Sequence, residues 1–193
     1  IFSLISEKHR AWHCGHSYWN EIIDMNSNSI GIELDYFPKS YNTKYSINLI
    51  YSLIELLKVL KTKYKINPKN ILGHSDIAPY RKIDPGRNFP WHILERYNLA
   101  FKIKILKNHS DLIIKKWFYH NGFDLNKKKI LFMLNYIGYD ISLALVSNEN
   151  FNQLINAYSN RFRLGKFSEK NKKKLFQTIE LHFINIFLTK SKK

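Results

Sequence analysis

Residues 73–91 read GHSDIAPYRKIDPGRNFPW, and this stretch is the most informative part of the chain. His74 and Asp84 supply an imidazole and a carboxylate, two ligand types that zinc accepts in catalytic sites. Lys82 stands two residues before Asp84, so it can bring a cation close to a bound metal. The combination indicates metal-assisted hydrolysis of an amide.

Two further motifs precede this stretch. Residues 11–19 read AWHCGHSYW, and residues 28–34 read NSIGIEL. In this order, the three motifs resemble the signature of the zinc-dependent N-acetylmuramoyl-L-alanine amidases, the type 2 amidase family that shares its fold with peptidoglycan recognition proteins. The resemblance implies an α/β fold, with a mixed central sheet flanked by helices and followed by a small all-helical domain.

The resemblance also implies the roles of individual residues. His74 and Asp84 would bind Zn²⁺, and the family's remaining ligand is a histidine on a strand that would lie upstream of Ile1. Glu33 would take a proton from the attacking water and pass it to the leaving amine. Lys82 would stabilise the oxyanion on the scissile carbonyl. Because one ligand would be missing from an N-terminally truncated chain, we expect weak zinc binding and little activity from it.

The AWH motif lines the substrate groove in this family, so Trp12 and His13 are the predicted substrate-binding residues. A tryptophan is also common in cores and groove walls, which leaves a packing role open for Trp12. The neighbouring His9 and His16, together with His13, are the alternative source of a third zinc ligand. Asp76 follows His74 closely, but an aspartate there is expected to hold the turn.

Hydrophobic periodicity predicts four elements in the first part of the chain. Residues 29–36 alternate as in a strand with one buried face, so Glu33 points away from that face, where it could also be merely solvated. Apolar residues recur at helical spacing over 44–64, and the helix stops before Asn67-Pro68. A short strand at 70–73 and a short helix at 91–97 complete the prediction.

The chain divides by pattern into a catalytic domain at 1–100, a linker at 101–108 and a helical domain at 109–190. The helical segments are predicted at 109–120, 126–137, 149–162 and 170–188. Residues 135–140 and 157–163 resemble, more weakly, a helical peptidoglycan-binding domain that follows some of these amidases. The alternative is a generic helical bundle in which the same aromatic residues form the core.

Composition limits the possible partners. Of the 193 residues, 31 are Lys or Arg and 15 are Asp or Glu, which gives a formal net charge of +16. Such a charge suits nucleic acid, but no nucleic-acid-binding motif accompanies it, so no nucleic-acid partner is expected. Peptidoglycan carries stem-peptide carboxylates that suit a basic surface. One cysteine excludes an internal disulfide, and the apolar run at 183–188 is too short to span a membrane.

The sequence therefore predicts a monomeric zinc amidase that cleaves the bond between N-acetylmuramic acid and L-alanine in peptidoglycan or muropeptides. The alternative is a non-catalytic peptidoglycan-binding protein on the same fold. The predicted location is the periplasm or the outer membrane, with a lipoprotein anchor possible upstream, and the cytoplasm is the alternative. The sequence does not distinguish intact peptidoglycan from 1,6-anhydro-muropeptides as the substrate.

Overall fold

The computed structural model describes residues 1–37, 43–105, 116, 120 and 126–190. The chain forms two compact units, Ile1–Lys102 and Ile103–Lys193. The predicted roles of these units, catalysis and peptidoglycan binding, remain predictions. Among the described residues, no helix is both long and apolar enough to cross a membrane.

The first unit is built around one long helix. Its helices are α1 (Met25–Asn28), α2 (Ile47–Tyr64), α3 (His74–Ile77) and α4 (Trp91–Arg96), with a 3-10 turn at Pro68–Asn70. The predicted helices at 44–64 and 91–97 are confirmed. Helix α2 begins after Ser46, whose backbone is extended, and ends where Lys65 takes a left-handed conformation with φ of 52°.

The core of this unit forms between α2 and residues 89–100. The buried face of α2 packs against aromatic and aliphatic residues around α4, and the cluster consists of Ile50, Leu53, Ile54, Leu57, Phe89, Trp91, Leu94, Leu99 and Ala100. Ile32 and Leu34 pack against it as partly buried residues. The core therefore holds both residues 30–36 and the end of the 73–91 stretch against one helix.

The predicted mixed sheet is wrong for the part of the chain that the structure describes. Residues 30–36 and 71–73 carry no regular secondary structure, and the ladder contact found is an isolated bridge between Trp19 and Ile22. A strand needs a neighbouring segment to complete its hydrogen bonds, and periodicity alone cannot supply that partner. The alternation itself is real, because Ile32 and Leu34 are half-buried while Glu33 and Asp35 are exposed.

The second unit is helical in its described part. It contains α5 (Lys127–Ile137), α6 (Ser142–Val146), α7 (Asn148–Phe162) and α8 (Glu169–Lys190). The helices predicted at 126–137, 149–162 and 170–188 are confirmed, and the short α6 was missed. Of the segment predicted at 109–120, only residues 116 and 120 are described, and both are helical; linker residues 106–108 lie outside the described ranges.

The aromatic residues of this unit form its core. Tyr139, which follows the helix-ending Gly138, is 1% exposed, and Tyr158 is fully buried. Their rings lie 5.9 Å apart, and Tyr158 also packs on Phe162 and His182. Tyr139 and Tyr158 therefore take the packing role that was the alternative interpretation of their motifs.

Candidate active site

His74 and Asp84 meet at the surface of the first unit. His74 Nδ1 lies 2.9 Å from Asp84 Oδ2, and the two side chains are 17% and 57% exposed. The backbone holds them in register, because Ser75 N donates to the carbonyl oxygen of Asp84 at 2.9 Å. Two residues ten positions apart thus present a nitrogen and an oxygen to one point that solvent can reach.

The second nitrogen of His74 determines what the first can do. His74 Nε2 lies 3.1 Å from the carbonyl oxygen of Cys14, and a carbonyl can only accept, so Nε2 carries a proton. In the neutral imidazole, Nδ1 then has a free lone pair that faces the Asp84 carboxylate, another acceptor. A hydrogen bond at the second ring nitrogen is the arrangement found around metal-binding histidines, and here it leaves Nδ1 facing the carboxylate.

The donor pair fits zinc in type and in spacing. Ligand atoms about 2.1 Å from a tetrahedral zinc are about 3.4 Å apart, so the observed separation of 2.9 Å needs to open by about half an ångström. In the described part of the chain, no group of three His, Cys, Asp or Glu residues converges as a metal site. His74 and Asp84 thus bring together two donors of types that zinc accepts, and among the described residues His9, His13 and His16 do not join them as a third.

Buried groups hold the loop around the pair. Asp76 is 1% exposed, and its Oδ2 accepts from Gly73 N at 2.8 Å, so the expected turn-holding role of Asp76 is confirmed. A Cβ at Gly73 would lie 2.7 Å from Pro85 Cδ, so only glycine allows this approach. The hydroxyl of Tyr45 donates to the carbonyl oxygen of Pro85 at 2.7 Å. His74 and Asp84 therefore sit on a backbone that these contacts hold in place.

A chain of aromatic contacts links residues 30–36 to the 73–91 stretch. Tyr36 and Tyr45 stack with ring centroids 3.7 Å apart, Tyr45 meets Phe89 edge-on at 5.2 Å, and Phe89 meets Trp91 at 4.6 Å. Burial, followed by the charges of Tyr36 and Asp84, raises the pKa of Tyr45 to about 12. Tyr45 therefore stays protonated and keeps donating its hydrogen bond at physiological pH.

Glu33 and Lys82 stand on segments that this scaffold fixes. Glu33 is exposed between half-buried Ile32 and Leu34, as its strand-like pattern predicted. Lys82 is half-buried, and its backbone N donates to the carbonyl oxygen of Ala78 at 3.0 Å. Neither side chain forms an ion pair with another residue of the described ranges.

Trp12 is exposed to solvent, whereas the ring of His13 is held by hydrogen-bonding contacts. Trp12 is 78% exposed, and the Arg10 guanidinium covers its ring at 4.0 Å from the centroid, so Trp12 is not a core residue. The ring nitrogens of His13 contact the carbonyl oxygen of Ala11 and Ser29 Oγ, each at 3.0 Å. Its ring covers Gly31, where a Cβ would come within 2.5 Å.

Two further residues organise the site, and the sequence reasoning missed both. Asn26 is 4% exposed, and its Oδ1 accepts from the backbone N of His13 and of Cys14 at 3.0 Å each. Arg81 donates to the carbonyl oxygens of Cys14 and His16. Arg81 could have been suspected because it lies inside the 73–91 stretch, whereas no pattern marks Asn26.

The first part of the chain matches a known family. Amidase_2, the N-acetylmuramoyl-L-alanine amidase family, matches residues 1–87, which include Glu33, His74, Lys82 and Asp84. Residues 1–87 belong to the Amidase_2 family. The resemblance drawn from the three motifs is therefore confirmed.

Curated relatives of this chain bear matching names. N-acetylmuramoyl-L-alanine amidase AmiD of Escherichia coli K12 is 41% identical over 106 residues, which are 52% of this chain and 38% of AmiD. The 1,6-anhydro-N-acetylmuramyl-L-alanine amidase AmpD of Haemophilus influenzae is 40% identical over 103 residues, which are 53% of each chain. The chain thus matches about half or less of the length of these relatives.

Solved amidase structures resemble more of the chain. AmpDh3 from Pseudomonas aeruginosa, in complex with an anhydromuramic pentapeptide, gives a TM-score of 0.71 at 27% identity, covering 92% of this chain and 71% of AmpDh3. AmiD from E. coli, in complex with anhydro-N-acetylmuramic acid-L-Ala-D-γ-Glu-L-Lys, gives 0.68 at 28% identity, covering 92% and 71%. At this coverage the likeness extends beyond the residues that match Amidase_2.

Proposed function

We propose that this protein is a zinc-dependent N-acetylmuramoyl-L-alanine amidase, which hydrolyses the amide between N-acetylmuramic acid and L-alanine in peptidoglycan or muropeptides. The observation that carries the proposal is the pairing of His74 Nδ1 with Asp84 Oδ2 at 2.9 Å, while Nε2 is engaged by the Cys14 carbonyl. This arrangement presents two zinc-type donors to one point. The names of the relatives AmiD and AmpD support the same reaction.

Other residues of the three motifs would supply the remaining parts of the mechanism. His74 and Asp84 would hold Zn²⁺, which when bound polarises the scissile carbonyl and makes water a better nucleophile. Glu33 takes the proton from the attacking water and transfers it to the leaving amine. Lys82 places its ammonium beside the oxyanion that develops on the carbonyl. The absence of ion pairs at Glu33 and Lys82 within the described residues supports these roles.

We assign substrate contact to Trp12 and His13. Trp12 has an exposed ring face that suits a sugar, and His13 lies over Gly31, two residues before Glu33. The solved AmpDh3 and AmiD complexes contain anhydromuramic peptides, which supports a muropeptide of this kind as substrate. We place the protein in the periplasm or the outer membrane, where intact peptidoglycan is accessible, with the cytoplasm as the alternative that cell fractionation would distinguish.

Replacing Glu33 tests the mechanism. In the natural full-length protein with saturating Zn²⁺, Glu33→Gln keeps the side-chain shape but removes the base, so we expect muropeptide cleavage to fall by about 10²-fold or more. Zinc content should not change, because Glu33 is not one of the ligands. The assay separates free stem peptide from uncleaved muropeptide by chromatography.

The matched control is Asp35→Asn, which removes a carboxylate from the next exposed position of the same segment and should leave cleavage intact. Full activity in Glu33→Gln would refute the role of Glu33. If the zinc-loaded wild type binds muropeptide without cleaving it, the protein is the peptidoglycan-binding alternative.

A further inference from the structure

Arg81 clamps a distant segment of the chain against the metal-ligand loop. Its Nε and Nη2 donate to the carbonyl oxygen of His16 at 3.2 and 2.6 Å, and Nη2 also donates to the carbonyl oxygen of Cys14. These carbonyls lie 65 and 67 positions earlier in the sequence. A planar guanidinium with donors in a fixed fork suits two neighbouring carbonyls in a way that a lysine cannot.

The Cys14 carbonyl is the same group that fixes His74. It accepts from His74 Nε2 at 3.1 Å and from Arg81 Nη2, and a carbonyl oxygen has two lone pairs for these two donors. On its other side, Cys14 is anchored by Asn26, whose Oδ1 accepts from the Cys14 N at 3.0 Å and from Sγ at 3.2 Å. The carbonyl is therefore held in place from two directions.

We infer that Arg81 is a positioning residue for the metal ligand His74 and acts through the carbonyl of Cys14. The inference rests on the proposed function, since it gives His74 a metal to bind. Hydrogen bonds from the second ring nitrogen of a ligating histidine orient the ring and leave the first nitrogen free for the metal. Arg81 holds the acceptor of that hydrogen bond, so it controls where Nδ1 points.

The backbone conformation of Gly15 allows the hydrogen bonds that Arg81 makes. It lies between the two carbonyls with φ of +61°, a left-handed conformation that lets both face one guanidinium. A Cβ at Gly15 would lie 3.1 Å from Arg81 Nη2. Because the same segment carries Trp12 and His13, Arg81 also ties the proposed substrate-binding residues to the metal ligand.

The test compares Arg81→Gln and Arg81→Lys with the control Arg96→Gln, which replaces an exposed arginine on α4. Two readouts are used: the Zn²⁺ dissociation constant by chelator competition, and the ¹⁵N–¹H ring spectrum of His74 in the metal-free protein, assigned with His74→Gln. We expect Arg81→Gln to weaken zinc binding by about tenfold or more. The Nε2–H signal of His74 should broaden through exchange with water.

Arg81→Lys should recover part of the affinity, because one ammonium can reach one carbonyl but cannot reproduce the fork. Arg96→Gln should change neither readout. Arg81 is exposed, so its replacement leaves the core intact, and circular dichroism verifies the fold of each variant. Unchanged zinc affinity together with an unchanged Nε2–H signal in Arg81→Gln would overturn the inference.

The two readouts separate this inference from the proposed function. The ring spectrum is measured without metal and without substrate, so it does not depend on catalysis. If the natural full-length wild type with saturating Zn²⁺ fails to cleave muropeptide but Arg81→Gln alters His74, the proposed function fails and the positioning role stands. If the wild type cleaves muropeptide and Arg81→Gln matches it in both readouts, the positioning role alone is wrong.

Discussion

His74 and Asp84 face each other as two acceptors, and this fact yields a sharp prediction for Asp84→Asn. With Nε2 donating to Cys14, the neutral His74 keeps an acceptor at Nδ1, to which the new Asn amide can donate. We therefore expect the free energy of unfolding to change by less than about 0.5 kcal/mol. Zinc affinity should fall by at least about tenfold, because the charged ligand is lost.

Thermal unfolding measures the change in stability, and chelator competition measures the change in zinc affinity. Both are measured on Asp84→Asn and on the control Asp35→Asn. Equal zinc affinity in the two variants would show that Asp84 is not a ligand. A large loss of stability in Asp84→Asn alone would instead show that the pair is a structural ion pair.

His182 makes the second unit sensitive to acid. It is 4% exposed, its Nδ1 lies 3.2 Å from the Tyr158 hydroxyl, and burial followed by the charge of Arg161 lowers its pKa from 6.5 to about 3. Between these values the unfolded chain binds a proton that the folded chain does not, so stability is complete above pH 6.5 and falls on acidification. The limiting slope is about 1.4 kcal/mol per pH unit.

Urea unfolding of the protein at pH 7, 6 and 5 measures this dependence. In His182→Asn the slope due to residue 182 should disappear, whereas His120→Gln, which replaces an exposed histidine of the same unit, should retain it. Identical pH dependence in His182→Asn and the wild type would mean that His182 does not titrate in this window.

At the level of elements, the short α3 depends on close packing around Gly73. Its φ of −85° suits any residue, so an alanine there suffers from crowding and not from backbone strain. The new methyl would meet Pro85 Cδ at 2.7 Å and Trp91 Cζ2 at 3.3 Å. We expect Gly73→Ala to destabilise the protein by about 1–3 kcal/mol and to weaken zinc binding, because Pro85 follows the proposed ligand Asp84.

Denaturant unfolding and zinc titration measure these effects. Gly86→Ala is a useful comparison, because its φ of +78° imposes strain while its nearest contact is a relaxed 3.7 Å. It should lose stability with less effect on the metal. Wild-type stability in Gly73→Ala would show that the loop can move aside without cost.

Helices were predictable from the sequence because their hydrogen bonds are local, and α2, α4, α5, α7 and α8 appear where periodicity placed them. The sheet was not, because a strand at 29–36 requires a partner that no local pattern specifies. Within the site, the motif located His74 and Asp84 correctly as neighbours. Asn26 escaped prediction because it binds backbone amides, which leave no trace in residue type. Arg81 lies inside the 73–91 stretch, but its role depends on backbone carbonyls that no residue pattern marks.

For the whole chain, the number of converging donors sets the expected zinc affinity. Zinc sites with complete ligand sets bind with about 10–16 kcal/mol, whereas the described residues bring together two donors, His74 and Asp84. We expect the 193-residue chain to bind Zn²⁺ with a dissociation constant weaker than about 1 μM, or about 8.2 kcal/mol.

Such a site should lose its metal during desalting, and elemental analysis before and after this step measures the loss. The double variant His74→Gln/Asp84→Asn supplies the background from the remaining histidines and carboxylates. One zinc per chain retained through desalting, and absent from the double variant, would require a third ligand beyond this pair. A spectrum of the Co²⁺-loaded chain would then report the coordination number of that site, since four-coordinate sites absorb far more strongly than six-coordinate ones.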